Sequence, residues 1–108
     1  MKKQYVKMDI DKVKNGIIRD VGGTKNFAVL SAIAVFADSR GVAYPSQKTI
    51  SQMVGYSRRT VSDTIQGMTK IKVNGKPIIS IEVEKTRKGR RNRYTLSPEC
   101  GFTFGQWL

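Results

Sequence analysis

Gly55 constrains this chain more than any other single residue, because it separates two stretches that each carry a helix start signal and a helical apolar spacing. Ser46, after Pro45, can accept from the orphan amides of a first helical turn, and Ile50, Met53 and Val54 follow at helical spacing. Gly55 then stands where a helix commonly closes in the left-handed conformation, which a residue without a β-carbon adopts cheaply. The chain must turn there. Ser57 caps the next helix, with Tyr56 before the cap and Val61 four residues after it placed to close as a hydrophobic staple. Val61, Ile65 and Met68 give this second helix an inner stripe, while Arg58, Arg59, Ser62 and Gln66 point the other way. Asp63 stands partly on that outer side.

The charge balance says what such a surface could meet. Twenty Lys and Arg against eight Asp and Glu leave the 108-residue chain with a net charge of +12, an excess that favours polyanions through counterion release and long-range attraction. Nucleic acid is the leading partner. The chain is long enough for one domain with a core of its own, so no disulfide or metal is required to hold it. The single cysteine, Cys100, has no internal partner, and the absence of histidine removes the commonest metal ligand, so no metal and no cofactor are expected. No apolar run approaches a membrane span, and Met1-Lys2-Lys3 is not followed by a signal-type apolar stretch; a soluble, cytoplasmic protein is expected. With no histidine, phosphate-cradling glycine loop or grouped carboxylates, the pattern does not suggest an enzyme.

The positive charge is concentrated. Lys85 to Arg93 holds six cations, Lys85, Arg87, Lys88, Arg90, Arg91 and Arg93, and no acid. It lies between Ile78–Val83 and Tyr94–Leu96, both β-like, with Ile79, Ile81 and Val83 alternating against Ser80, Glu82 and Glu84. This predicts a hairpin with a cationic tip, which Gly89 allows to bend and to approach a phosphate or a groove floor.

The remainder reads as architecture. Thr24 is placed to cap a helix running through Asn26 to Ala37, apolar nearly all round and therefore central and buried. Ser39-Arg40-Gly41 turns the chain into a short strand, Val42-Ala43-Tyr44, able to pair with the hairpin, and Val73 to Pro77 links the second helix of the pair to that hairpin. Ahead of this, Gln4 to Asp9 reads as a strand, and Asp11 to Val21 as either a helix interrupted at Gly16 or a hairpin turned by Asn15-Gly16. Phe102, Phe104 and Trp107 in the tail read as a cover for the core edge, with a homodimer contact as the sharper alternative. The expected class is α+β: a three-helix core, a short strand and a C-terminal β-hairpin.

Ser51, Gly55 and Ser57 to Ser62 resemble the helix-turn-helix of bacterial repressors, in which a small residue sits mid-way along the first helix, glycine opens the turn and Ser-x-x-Thr-Val-Ser starts the recognition helix. The wider run, from Gly41-Val42-Ala43-Tyr44-Pro45-Ser46 to Asn92-Arg93-Tyr94-Thr95-Leu96, resembles the winged-helix domains of plasmid and phage replication, transfer and partition proteins. The resemblance covers roughly Thr24 to Ser97; with the length of the chain it gives the expectation of a single winged helix domain over residues 1–108, with an extension at 1–22, a core at 24–97 and a tail at 98–108. It implies a protein that prefers certain double-stranded DNA sequences, an accessory factor in plasmid or phage replication, transfer or gene control.

In that arrangement Arg58, Arg59, Ser62 and Gln66 would touch base edges in the major groove, and Ser46, Gln47, Lys48 and Ser57 would hold phosphate at the helix starts. The wing would add Lys85, Arg87, Lys88, Arg90, Arg91 and Arg93, with its arginines suited to a narrow minor groove and its charge supplying more of the affinity. A homodimer or a larger DNA-processing protein is a further partner to consider. The rival readings are an RNA-binding protein, disfavoured by the lack of clustered stacking aromatics on a strand, and an adaptor that recruits a DNA-processing enzyme through its tail.

Overall fold

The computed structural model describes residues 3–107, and side chains over residues 6–103. Its order is β1 (Lys3–Met8), α1 (Ile10–Lys14), α2 (Ile17–Asp20), α3 (Thr24–Ala34), β2 (Val42–Ala43), α4 (Gln47–Val54), α5 (Arg58–Met68), β3 (Lys72–Val73), β4 (Lys76–Pro77), β5 (Ile79–Thr86), β6 (Gly89–Leu96), a 3-10 turn (Pro98–Cys100) and β7 (Phe102–Trp107). The α+β class holds, with a helical core and antiparallel strands.

Helices α3, α4 and α5 pack on one another. Val29, Leu30 and Ile33 from α3, Ile50 from α4, and Val61, Ile65 and Met68 from α5 are fully or almost fully buried. The sheet closes this core from the other side through Ile79, Leu96 and Tyr94, whose ring is wholly buried and whose hydroxyl accepts from Asn92 Nδ2 at 3.1 Å. Met53, expected on the inner face of α4, is exposed instead: in a helix of two turns the Ile50–Val54 pair, four residues apart, takes the buried stripe and leaves Met53 at its edge.

Two boundaries differ from the sequence reading. Gly23, not Thr24, caps α3, and it does so with no side-chain bond. The helix also stops at Ala34, three residues early, because Phe36 and Ala37 donate back to Ile33 and Ala34, in the tighter three-residue pattern, before the chain turns. Val35 and Phe36 are therefore exposed. The turn is built by Asp38: Oδ1 accepts from the amides of Arg40 at 2.8 Å and Val42 at 3.1 Å, and Oδ2 from the Arg40 guanidinium at 2.8 and 3.2 Å. That guanidinium bond is the main reason the Asp38 carboxyl is held below its ordinary range.

The hairpin belongs to a three-strand sheet in order β2-β6-β5, with Ala43 opposite Tyr94 on one flank and Ile81 opposite Tyr94 on the other. Residues 73–77, expected as a linker, fold into a second small hairpin, β3-β4, on Asn74 and Gly75, both at positive φ (54° and 77°). This is the geometry that Asn-Gly favours between two strands.

Near the start of the chain, Gly16 at φ 97° interrupts a helical stretch into α1 and α2, so the interrupted-helix alternative is the one the fold adopts. Strand β1 pairs antiparallel with β7. Phe102 is buried and stacks on Phe27 with ring centroids 5.5 Å apart, as a cover for the core edge should. The Phe104 and Trp107 side chains lie outside those described. Among the described residues no helix is long and apolar enough to cross a membrane.

Candidate nucleic-acid interface

The pair α4 and α5 is held by local bonds that the sequence specifies. Ser46 Oγ accepts from the Thr49 amide at 3.0 Å, and Ser57 Oγ from the Thr60 amide at 3.1 Å, so each serine caps its own helix. Gly55 adopts φ 79°, ψ 10°, and its amide closes α4 onto Ser51 O. The Ser51 hydroxyl donates to the Tyr56 carbonyl, tying the middle of the first helix to the exit of the turn. A small hydroxyl residue at this place therefore has a structural use.

These caps bear on two of the expected phosphate ligands. The hydroxyls of Ser46 and Ser57 are engaged with Thr49 and Thr60, including their side-chain oxygens at 2.9 and 3.0 Å. What each helix start offers a phosphate is its first amides, those of Gln47 and Lys48 on α4 and of Arg58 and Arg59 on α5.

Along α5, Arg58 and Arg59 are exposed, Ser62 is half-buried and Gln66 is exposed. Arg59 Nε stands 4.0 Å from Asp63 Oδ2, with the two side chains 93% and 76% exposed, a pairing too solvated to hold the guanidinium. Gln66, towards the other end of α5, lines a groove with Thr69 and with Ile79, Ile81 and Val83 of β5. The C-terminal end of α5 thus borders the base of the hairpin.

The hairpin differs from a simple cationic loop. Its ladder runs to Thr86 opposite Gly89, so only Arg87 and Lys88 form the turn, and Gly89, at φ 124°, begins β6. Strand alternation therefore sorts the cations by face. Lys85 and Arg90 are opposite one another, on the side of Ile79 and Tyr94; Arg91 and Arg93 are on the outer side with Glu84. Glu84 Oε2 accepts from Arg91 Nε and Nη2 at 3.1 and 3.0 Å, and Oε1 from Arg93 Nη1 at 3.4 Å. Arg91 Cζ also lies 3.8 Å over the Tyr44 ring. Lys85, Arg87, Lys88 and Arg90 are exposed and form no ion pair among the described residues.

The two groups meet beside α4. Ser46 and Gln47 line a cleft with Tyr44, Arg90, Arg91 and Asn92, so the start of the first helix and the flank of the hairpin border one space. Neither Glu84 nor Tyr44 is placed in this surface by the sequence pattern. A signal exists for Glu84: counting back from a two-residue turn at Arg87-Lys88 sets it opposite Arg91. Lys70, Lys72 and Lys76, exposed around β3-β4, also lie outside the expected set.

Residues 23–68, which span α3, β2, α4 and α5, match the model of the helix-turn-helix domain family. This segment is similar to helix-turn-helix domains. Searches of curated proteins and of solved structures find no significant match to the chain. Within the matched segment, α4 stands as the first helix of the pair, Gly55 as the pivot and α5 as the helix whose start is exposed; the β5-β6 hairpin, beyond the matched residues, is consistent with a wing.

Proposed function

We propose that the protein binds double-stranded DNA with a preference for particular sequences, reading base edges with Arg58, Arg59, Ser62 and Gln66 and holding phosphates with the first amides of α4 and α5 and with a basic wing. The observation that carries this reading is that the start of α4 and the flank of the hairpin border one cleft, at Gln47 and Arg90, while the first turn of α5 leaves Arg58 and Arg59 exposed. Lys85, Arg87, Lys88 and Arg90 supply most of the counterion release, and the recognition helix supplies the discrimination. Such a protein suits an accessory role in plasmid or phage DNA replication, transfer or gene control, as a homodimer or together with a larger DNA-processing protein.

Binding to matched and random duplexes across a range of salt tests this. Arg90→Gln weakens binding to every duplex and flattens the salt slope by about 0.9, one phosphate contact. Arg58→Ala instead erodes the preference for the matched site, by about 1–3 kcal/mol where a bidentate guanine contact is lost. Affinity indifferent to salt, or preference for RNA over duplex DNA in competition, would reject the reading.

A further inference from the structure

We propose that Glu84 is a specificity-determining residue, which holds Arg91 and Arg93 on the outer face of the hairpin and so withdraws two cations from indiscriminate binding to phosphate. The inference rests on the DNA-binding reading above. Three observations lead to it. One carboxylate serves two arginines, directly across the ladder to Arg91 and diagonally to Arg93. Arg91 is further restrained by lying over the ring of Tyr44, two residues before the α4 cap, and Arg93 is drawn in far enough that its Nε is buried. The group is also among the less exposed of the hairpin's charges, with side-chain exposure of 28% for Glu84, 47% for Arg91 and 34% for Arg93.

A row Tyr44–Arg91–Glu84–Arg93 thus crosses the sheet from the end of β2 through β6 to β5 on the side away from the core, and it does two things. It fixes the hairpin against the segment that leads into the first helix of the pair. It also divides six cations into four that reach solvent freely and two that are neutralised in part by one acid. Affinity for any duplex grows with each phosphate neutralised, whereas discrimination comes from base edges and groove shape. An acid that holds back cations therefore lowers binding to random sequence more than it costs the matched site, the repulsive component that specificity often needs.

The test is binding of the full chain to random and matched duplexes, by fluorescence anisotropy over a salt series, for the parent, Glu84→Gln and Glu84→Asp. With Glu84→Gln, Arg91 and Arg93 lose their shared acceptor, although Arg93 keeps Glu82 opposite it in the ladder, and the slope of log affinity against log salt for random duplex steepens by about 0.9 per arginine engaged. At 0.1 M salt this is about eightfold tighter random binding for each. The ratio of matched to random affinity falls. Glu84→Asp keeps the charge but draws it back by one methylene, and is expected to lie between the two. Random binding by Glu84→Gln equal to or weaker than the parent's, on a parent that does bind duplex with a steep slope, overturns this inference and leaves the DNA-binding reading intact. A parent that does not bind duplex DNA overturns both.

Discussion

Gly55 and Gly67 should respond to the same substitution with opposite signs. Gly55 stands at φ 79°, ψ 10°, where an added β-carbon meets no atom within 4 Å, so a clash contributes nothing and the cost is purely that of the left-handed backbone. For an L residue that is about 1–2 kcal/mol, against which the reduced freedom of the unfolded chain returns about 0.4–1 kcal/mol. Gly55→Ala should therefore destabilise by about 1 kcal/mol, or about 4 °C in Tm for a domain of this size. Gly67 lies within α5 with ordinary helical backbone, is exposed, and also has open space at its β-carbon; Gly67→Ala should stabilise by about 0.5–1 kcal/mol. Gly55→Asn should cost less than Gly55→Ala, because a short polar side chain visits the left-handed region more readily. Urea unfolding followed by far-UV circular dichroism measures all three. A Gly55→Ala variant as stable as the parent would mean that α4 and α5 do not turn on this residue, and the arrangement of the helix pair around a left-handed pivot would fail with it.

Two other groups give independent checks. Cys100 is fully buried, and burial pushes its thiol up from the ordinary range. The native protein should therefore react with a disulfide reagent only as fast as it opens, and the urea-unfolded chain at once; prompt reaction of the native form would contradict the placement of the C-terminal segment. Asp38 is held below its ordinary value of 3.8 chiefly by Arg40, so its contribution to stability is present above that value and is lost as pH falls through the lowered one. Asp38→Asn should flatten the fall in stability below about pH 4, measured by urea midpoints from about pH 3 to 7, with identical acid profiles as the contrary result.

The parts of this fold that the sequence discloses are those written by neighbours along the chain. Ser46 and Ser57 cap, Gly55 turns, and Val61, Ile65 and Met68 share a face, because each depends on residues within a turn or two. What the sequence leaves hidden depends on pairing at a distance or on register. The union of β1 with β7 joins opposite ends of the chain, and no local pattern in Lys3–Met8 names Phe102–Trp107 as its partner. The run from Lys85 to Arg93 reads as a bare cationic loop until the two-residue turn is located, after which alternation assigns its cations to faces and brings Glu84 against Arg91. The end of α3 is hidden for a different reason. Val35, Phe36 and Ala37 continue the apolar run, but the Asp38 turn claims that segment and leaves two large side chains in solvent. Asn74-Gly75 is itself a hairpin signal, yet its flanking strands of two residues carry no alternation to mark them.

The sharpest check on the proposed interface is amide shift mapping of the full chain titrated with a short duplex. Residues 58–66 at the outer side of α5, the amides of Gln47 and Lys48, and the hairpin from Lys85 to Arg90 are expected to shift together at one saturating ratio, while α1, α2 and the β1-β7 pair stay still. Shifts gathered on α1, α2 or the β3-β4 hairpin, with the start of α5 unmoved, would contradict it.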